Sequence, residues 1–244
     1  MSAPAPEATA RRSAAAVSRV GAGFMSDPSL AQRGAELGYG GIDFYLAGRA
    51  GVLGEVGAAV ATAALGFFAP GVVDPAWRRT ASLLPRHAVA QEFAACAASW
   101  AEARLPLDAD VVRLAELASA LHRRAESAGA PIFAGWRALA VPDEPRQAVV
   151  HLCNGLREHR MACHLAALIT ARLDVADAVR FRSPDLVHHF GWSGELTDLA
   201  SVRSRWAEAE ACTDAVAGDL YATMPVGERA EFEHLVTGLV RRLG

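Results

Sequence analysis

The sequence predicts an all-α protein: a multi-helix bundle around a central buried helix, closed by a C-terminal helical pair. Three observations predict it. Asp or Ser followed by Pro, the start signal of a helix, recurs along the chain at Asp27-Pro28, Asp74-Pro75 and Ser183-Pro184. Apolar residues between these points repeat with helical period. Alternating runs of β-branched residues, the mark of a half-buried strand, do not occur.

In chain order, residues 1–15 (MSAPAPEATARRSAA) are rich in Ala, Pro and Ser and are expected to be a loose tail; they lack the apolar run of a secretory signal. Helices are expected from Asp27, from Asp74, and over Asp108 to Ala128, where Val111, Val112, Leu114, Ala115, Leu117, Ala118 and Leu121 share one face. Asp143, with Pro145 soon after, opens the central helix, which runs through His151 to Leu173. Short helices over Asp174–Phe181 and Pro184–His189 follow, then a small hairpin near Gly191–Thr197. From Asp198 two amphipathic helices are separated near Met224-Pro225, with Trp206, Leu220, Tyr221, Phe232, Leu235 and Leu239 facing inward. The expected division is therefore a tail (1–15), a helical core (16–190) and a C-terminal helical segment (191–244). Within the core, FYLAGRAGVLGEVGAAVATAALGFFAP from Phe44 and FAGWRALAVPDEPRQAVVHLCNG from Phe133 are alike. That is either a twofold pseudo-repeat, with halves 27–128 and 129–190 and Arg49 and Arg137 entering a crevice between them, or coincidence in an alanine-rich sequence.

At 244 residues and 52% hydrophobic, the chain can bury a large core. Its longest apolar stretch, Val56 to Pro70, is broken by Gly and is shorter than a membrane span, so no membrane partner and a cytoplasmic location are expected. All 24 basic residues are arginine. A Schiff-base lysine, a pyridoxal phosphate anchor and a lysine-dependent phosphate loop are thereby excluded. No Gly-rich dinucleotide fingerprint with strand context is present, and no cofactor is expected. A net charge of −3 gives no global pull toward a polyanion, so no specific DNA partner is expected. Cys96, Cys153, Cys163 and Cys212 have no metal or disulfide spacing and read as buried apolar residues.

The chemistry concentrates in the central helix, HLCNGLREHRMACHLAALITARL. Apolar residues cover its whole circumference, which implies burial, yet it carries several ionisable groups that burial forces to find partners. At about 100° per residue, Arg157, Arg160 and His164 fall in one sector and His151, Asn154 and Glu158 in another. Internal ion pairs would account for both. The alternative is a pocket in which the first sector grips an anion, arginine's planar fork suiting sulfate, phosphate or carboxylate, with Asn154, Arg49 and Arg137 assisting. Glu158 would then be the base and His151 would help to position the substrate. His159 and His164 are five residues apart, off the four-residue spacing of zinc helices, so no metal is expected.

Three elements, LAGRAGVLGEVGAAVATAALGFFAP (Leu46–Pro70), REHRMACHLAAL (Arg157–Leu168) and GELTDLASVRSRWAEAEACTD (Gly194–Asp214), resemble an actinobacterial all-helical family usually labelled helix-turn-helix. The GRAxxLG and EHRxxxHLAAL elements are specific when found together. In that family a helical stretch and a wing-like loop stand between the EHR helix and the LT segment, and this chain is abbreviated there. Family members also occur beside biosynthetic genes of specialised metabolism, so the resemblance admits an enzyme as well as a regulator.

The leading expectation is a cofactor-independent, non-redox biosynthetic enzyme, or the substrate-holding subunit of one, acting on a small anionic metabolite. Intramolecular displacement that closes a small ring such as an aziridine would fit. A ligand-responsive helix-turn-helix regulator is the second expectation. The third is a non-catalytic partner subunit anchored by exposed Trp77 or Trp100; homo- or hetero-oligomers suit all three.

Overall fold

The computed structural model describes residues 5–243, and among these every regular element is helical. Twelve α-helices run in order: α1 (Pro6–Ala22), α2 (Pro28–Glu36), α3 (Asp43–Ala50), α4 (Ala58–Leu65), α5 (Pro70–Arg79), α6 (Arg86–Arg104), α7 (Ala109–Arg124), α8 (Pro131–Ala138), α9 (Pro145–Thr170), α10 (Val175–Arg182), α11 (Leu199–Ala222) and α12 (Val226–Leu243). Short 3-10 turns follow α1, α3 and α10.

The start signals act largely as the sequence implies. Asp27 caps α2 by accepting from Ser29 N, Asp108 caps α7 from Val111 N, and Asp174 and Asp198 cap α10 and α11. The cap of α9 is Glu144, accepting from Gln147 N, one residue beyond the expected Asp143. Asp74-Pro75 opens nothing: α5 begins at Pro70, and Pro75 lies inside it. Asp74 instead accepts from Thr62 Oγ1 at 2.6 Å. Ser183-Pro184 opens only a 3-10 turn, and Gly191–Thr197 forms turns and bends rather than a hairpin.

The tail expectation also changes. Residues 1–4 lie outside the described residues, but from Pro6 the chain is helical, with Thr9, Ala10, Ser13, Ala16, Val17 and Val20 buried. Small side chains there let α1 come within backbone distance of α9. A Cβ on Gly21 would stand 2.4 Å from Asn154 N, so only glycine fits.

α9 is the axis of the bundle, packed by α1, α6, α7, α8 and α11. Residues Ala148 to Leu156 are all buried, as a helix apolar all round requires. On one side Phe24, Phe44, Phe93 and Trp136 form an aromatic core with ring centroids 4.9–6.2 Å apart. A second, smaller core joins the end of α9 to α10 and α11 through Leu168, Leu173, Ala178, Val202 and Ala209. The C-terminal pair is as expected, with Leu220, Tyr221, Phe232 and Leu239 buried.

Neither expected tryptophan anchor is fully exposed. Trp77 is buried, its Nε1 donating to Val56 O, with the Arg86 guanidinium 3.8 Å above its ring. Trp100 is half-buried against Gly23. The four cysteines are free. No helix among the described residues is long and apolar enough to cross a membrane.

Candidate functional site: an arginine-lined cavity

A cavity of about 550 Å³ lies between α1, α3, α9, α10 and α11. Five arginines reach its wall: Arg11, Arg49, Arg157, Arg160 and Arg182. Glu210 is the one carboxylate that lines it among the described residues, and Tyr45, Phe67, Phe68, Phe190, Trp206 and Tyr221 give it an aromatic surface. Such a mixture of apolar wall and a few convergent polar groups is typical of small-molecule sites.

The polar groups are held from two sides. Behind the α9 wall, Arg49 of α3 clasps Glu158 with Nε to Oε1 at 2.7 Å and Nη2 to Oε2 at 2.9 Å. Both side chains are almost wholly buried, at 3% and 0% exposed. Tyr45 OH accepts from Arg49 Nη1, and Arg157 Nη1 donates to Glu158 Oε1. Burial pushes the Glu158 carboxyl upward, but the charges and hydrogen bonds of Arg49 and Arg157 outweigh it and hold the group below its ordinary value. Glu158 is thus an ionised internal anchor with its acceptor sites occupied, and the expected role of general base does not suit it.

Toward α11, Arg160 Nη2 donates to Asp214 Oδ1 at 2.8 Å and lies 3.7 Å from Glu210 Oε2. Its Nη1 is buried and has no partner. A buried guanidinium N–H without an acceptor costs on the order of 1–3 kcal/mol, which a bound anion would relieve.

His164 is sandwiched by Phe67, with centroids 6.0 Å apart, and the edge of Trp206 at 5.0 Å. Its Nδ1 stands 2.9 Å from Thr213 Oγ1. Thr213 Oγ1 also lies 2.7 Å from Ala209 O; with its single proton given there, Nδ1 is the donor and neutral His164 keeps a lone pair on Nε2. That nitrogen is buried without a partner. Burial first, and then the Arg160 charge, lower the imidazole to about 4. His164 is therefore an acceptor at neutral pH, whereas the sequence pointed to a third cation.

Four of the expected site residues meet here: Arg49, Arg157, Arg160 and His164 line the cavity. The others do not. His151 is buried on another side of α9 beside Trp136 and His122, with centroids 5.8 and 6.2 Å away, and burial lowers it to about 4. Asn154 is buried against α1 where Gly21 touches it. Arg137 reaches Ala125 O at 2.6 Å and Ser127 Oγ at 2.8 Å, fastening α8 to the loop after α7. Glu210 escapes sequence reasoning, because it sits among Glu208, Arg205 and Arg203 and reads as a solvated face. The signal is Trp206, four residues earlier on the same face. Tyr45, Phe67 and Phe68 lie within a stretch that stands out in the sequence as half of a repeat and, from Leu46, as a family element, neither of which marks these rings as a cavity wall.

Beyond the cavity, α9 is followed by a four-residue turn, Ala171–Asp174, with Arg172 in the left-handed region (φ 54°), and then by α10. The end of α9, the turn and α10 all contribute to the second core. A helix-turn-helix family model matches residues 10–244, and the chain belongs to that family. No curated protein and no solved structure matches the chain. Membership overturns the expectation of no specific DNA partner, since helix-turn-helix pairs read DNA grooves. The net charge that suggested otherwise is a sum over the whole chain, while a DNA face is local.

Proposed function

We propose that the chain binds a small organic molecule carrying a sulfate, phosphate or carboxylate group in the arginine-lined cavity. It holds that molecule for a cofactor-independent, non-redox step, as a biosynthetic enzyme or the substrate-holding subunit of one. The observation that carries this is that Arg160 and His164 both line the cavity and each keeps one buried nitrogen without a partner, Nη1 of Arg160 and Nε2 of His164. One is shaped for an anion and the other for an N–H or O–H of the same ligand.

Such a pair suits intramolecular displacement. A ligand nucleophile attacks carbon, the carbon–oxygen bond to a sulfate or phosphate breaks, and the leaving group departs with the electron pair onto Arg160 and Arg157. The nucleophile's proton passes to a basic group on the wall. Glu210 suits that role, because burial raises its carboxyl above the ordinary value despite the nearby Arg160, and its Oε1 lies 3.5 Å from His164 Nδ1.

Calorimetric titration with methyl sulfate tests the reading. Arg160→Met should weaken binding roughly 10- to 100-fold, the loss of one charged hydrogen bond, with an unchanged circular dichroism spectrum. Equal binding by the wild type and this variant would remove the anion site.

A second reading, a ligand-responsive transcriptional regulator, is favoured by the family match and by the α9–turn–α10 arrangement. Here α10, with Arg180 and Arg182, enters a DNA groove, and the cavity, which Arg182 also lines, senses the ligand. A gel-shift titration against the chain's own upstream region, at stated salt and with and without methyl sulfate, separates the readings. Nanomolar binding that the anion alters favours the regulator.

A further inference from the structure

The cavity is not a closed end. A second cavity, of about 630 Å³, opens on the far side of Tyr45, Phe68 and Phe190, and these three rings belong to the walls of both. Phe68 touches both of the others, with Tyr45 and Phe68 centroids 5.8 Å apart and Phe68 and Phe190 centroids 4.8 Å apart. The two chambers differ in character. No arginine lines the second, where Met25, Leu30, Ile42, Phe44 and Leu186 are joined by Ser26, Asp27 and His189. Positive charge therefore falls from the five arginines on one side of the aromatic partition to a wall without arginine on the other.

We propose that the occupant is a two-part molecule, with an anionic head among the arginines and an aliphatic or aromatic tail that passes the Tyr45–Phe68–Phe190 partition into the second cavity. This rests on the anion-binding reading above and adds the ligand's class. Electrostatics fixes the orientation. An anionic head is attracted by the arginines, whereas Asp27 of the second cavity is occupied in capping α2 and in its 3.2 Å pair with Arg104; an apolar tail gains nothing beside guanidinium groups and loses water against Met25 and Ile42.

The third ring of the partition belongs to a segment that can be re-set without unwinding a helix. Phe190 lies between the turn after α10 and the start of α11, and is fastened by Ala69 N donating to Phe190 O at 2.8 Å and by Trp192 Nε1 donating to Phe67 O at 2.7 Å. Gly191 takes the turn at φ 80°, and a Cβ there would also collide with Val72. The strap thus sets how far Phe190 reaches between the chambers, and with it the width of tail that passes.

The test is calorimetric titration of the full chain with methyl sulfate and n-hexyl sulfate, which share a head and differ in tail. Burying a methylene is worth up to roughly fourfold in affinity, so even half-efficient burial of five should make hexyl sulfate bind about 30-fold more tightly. Leu186→Trp, at a half-exposed position that lines only the second cavity, should cut the hexyl advantage about tenfold and leave methyl sulfate unchanged. Met25→Trp, on the opposite element, should do the same and guards against one variant failing to fold. Equal affinities for the two probes, or a hexyl advantage untouched by both variants, overturns the two-part ligand while the anion site stands. Loss of the anion site itself shows separately, as methyl sulfate binding that is absent or indifferent to Arg160→Met.

Discussion

Glu158→Gln should cost the fold stability. The carboxylate is fully buried and answers two guanidinium groups. Glutamine keeps the shape but offers one acceptor, and turns its amide donors toward Arg49 or Arg157, which have only donors to present. Arg157, with 20% of its side chain exposed, can swing toward the cavity; Arg49, at 3%, cannot. Removing one partner of such a buried pair costs about 3–5 kcal/mol. For a domain of this size that lowers the melting temperature by roughly 10 °C, measured by circular dichroism at pH 7. Replacing both members with apolar residues, Arg49→Met with Glu158→Leu, removes the stranded charge and should recover most of the loss. Acid adds a signature: because the Glu158 carboxyl is depressed in the fold, its contribution is present above the ordinary carboxylate range and fades as pH falls through the folded value, and Glu158→Gln lacks that portion of acid sensitivity. A single variant that melts with the wild type, or a double variant as unstable as the single, refutes the anchor and makes Glu158 a candidate for chemistry again.

Three further outcomes are expected. His122, His151 and His164 each sit at about 4, below the ordinary imidazole, so the unfolded chain takes up their protons first; urea-unfolding stability should fall as pH drops from about 6.5 toward 4, at up to ~1.4 kcal/mol per pH unit per histidine, and a flat profile there would contradict their neutral burial. Gly21→Leu should separate α1 from α9 and destabilise the chain by at least about 2 kcal/mol in the same assay, because the first carbon already lies 2.4 Å from Asn154 N. Glu210→Gln should leave methyl sulfate affinity within about threefold, while lowering any displacement turnover by two to four orders of magnitude, as removal of a general base does.

The architecture was legible where local chemistry decides it. Asp27 and Asp108 cap helices because a side-chain oxygen two or three residues from an unpaired N–H satisfies it, and nothing distant is needed. Pro75 misled for a related reason. A proline restricts its own neighbourhood, but whether a helix starts there depends on what precedes it, and Ala69-Pro70 supplied an earlier start. The amino-terminal stretch read as a tail because alanine and serine are poor in hydrophobic signal; the same smallness lets α1 lie against α9.

The site was half legible, and the division follows from the shape of the central helix. Periodicity gives the angle between two side chains on α9, so it placed Arg157, Arg160 and His164 together correctly. It says nothing of what stands opposite each angle, and on a helix surrounded by five others that decides the role. Glu158 and His151 share a helical line, yet Glu158 meets Arg49, 109 positions earlier in the chain, whereas His151 meets Trp136 and His122. His164 makes the point most sharply. Its sequence neighbours are cationic, but its state is set by Thr213, whose proton is already committed to Ala209, and so a residue that looks like an anion's partner is a lone-pair acceptor. On the proposed anion reading, a ligand that meets both nitrogens brings a negative oxygen for Arg160 and a proton for His164, and inorganic sulfate brings only the first.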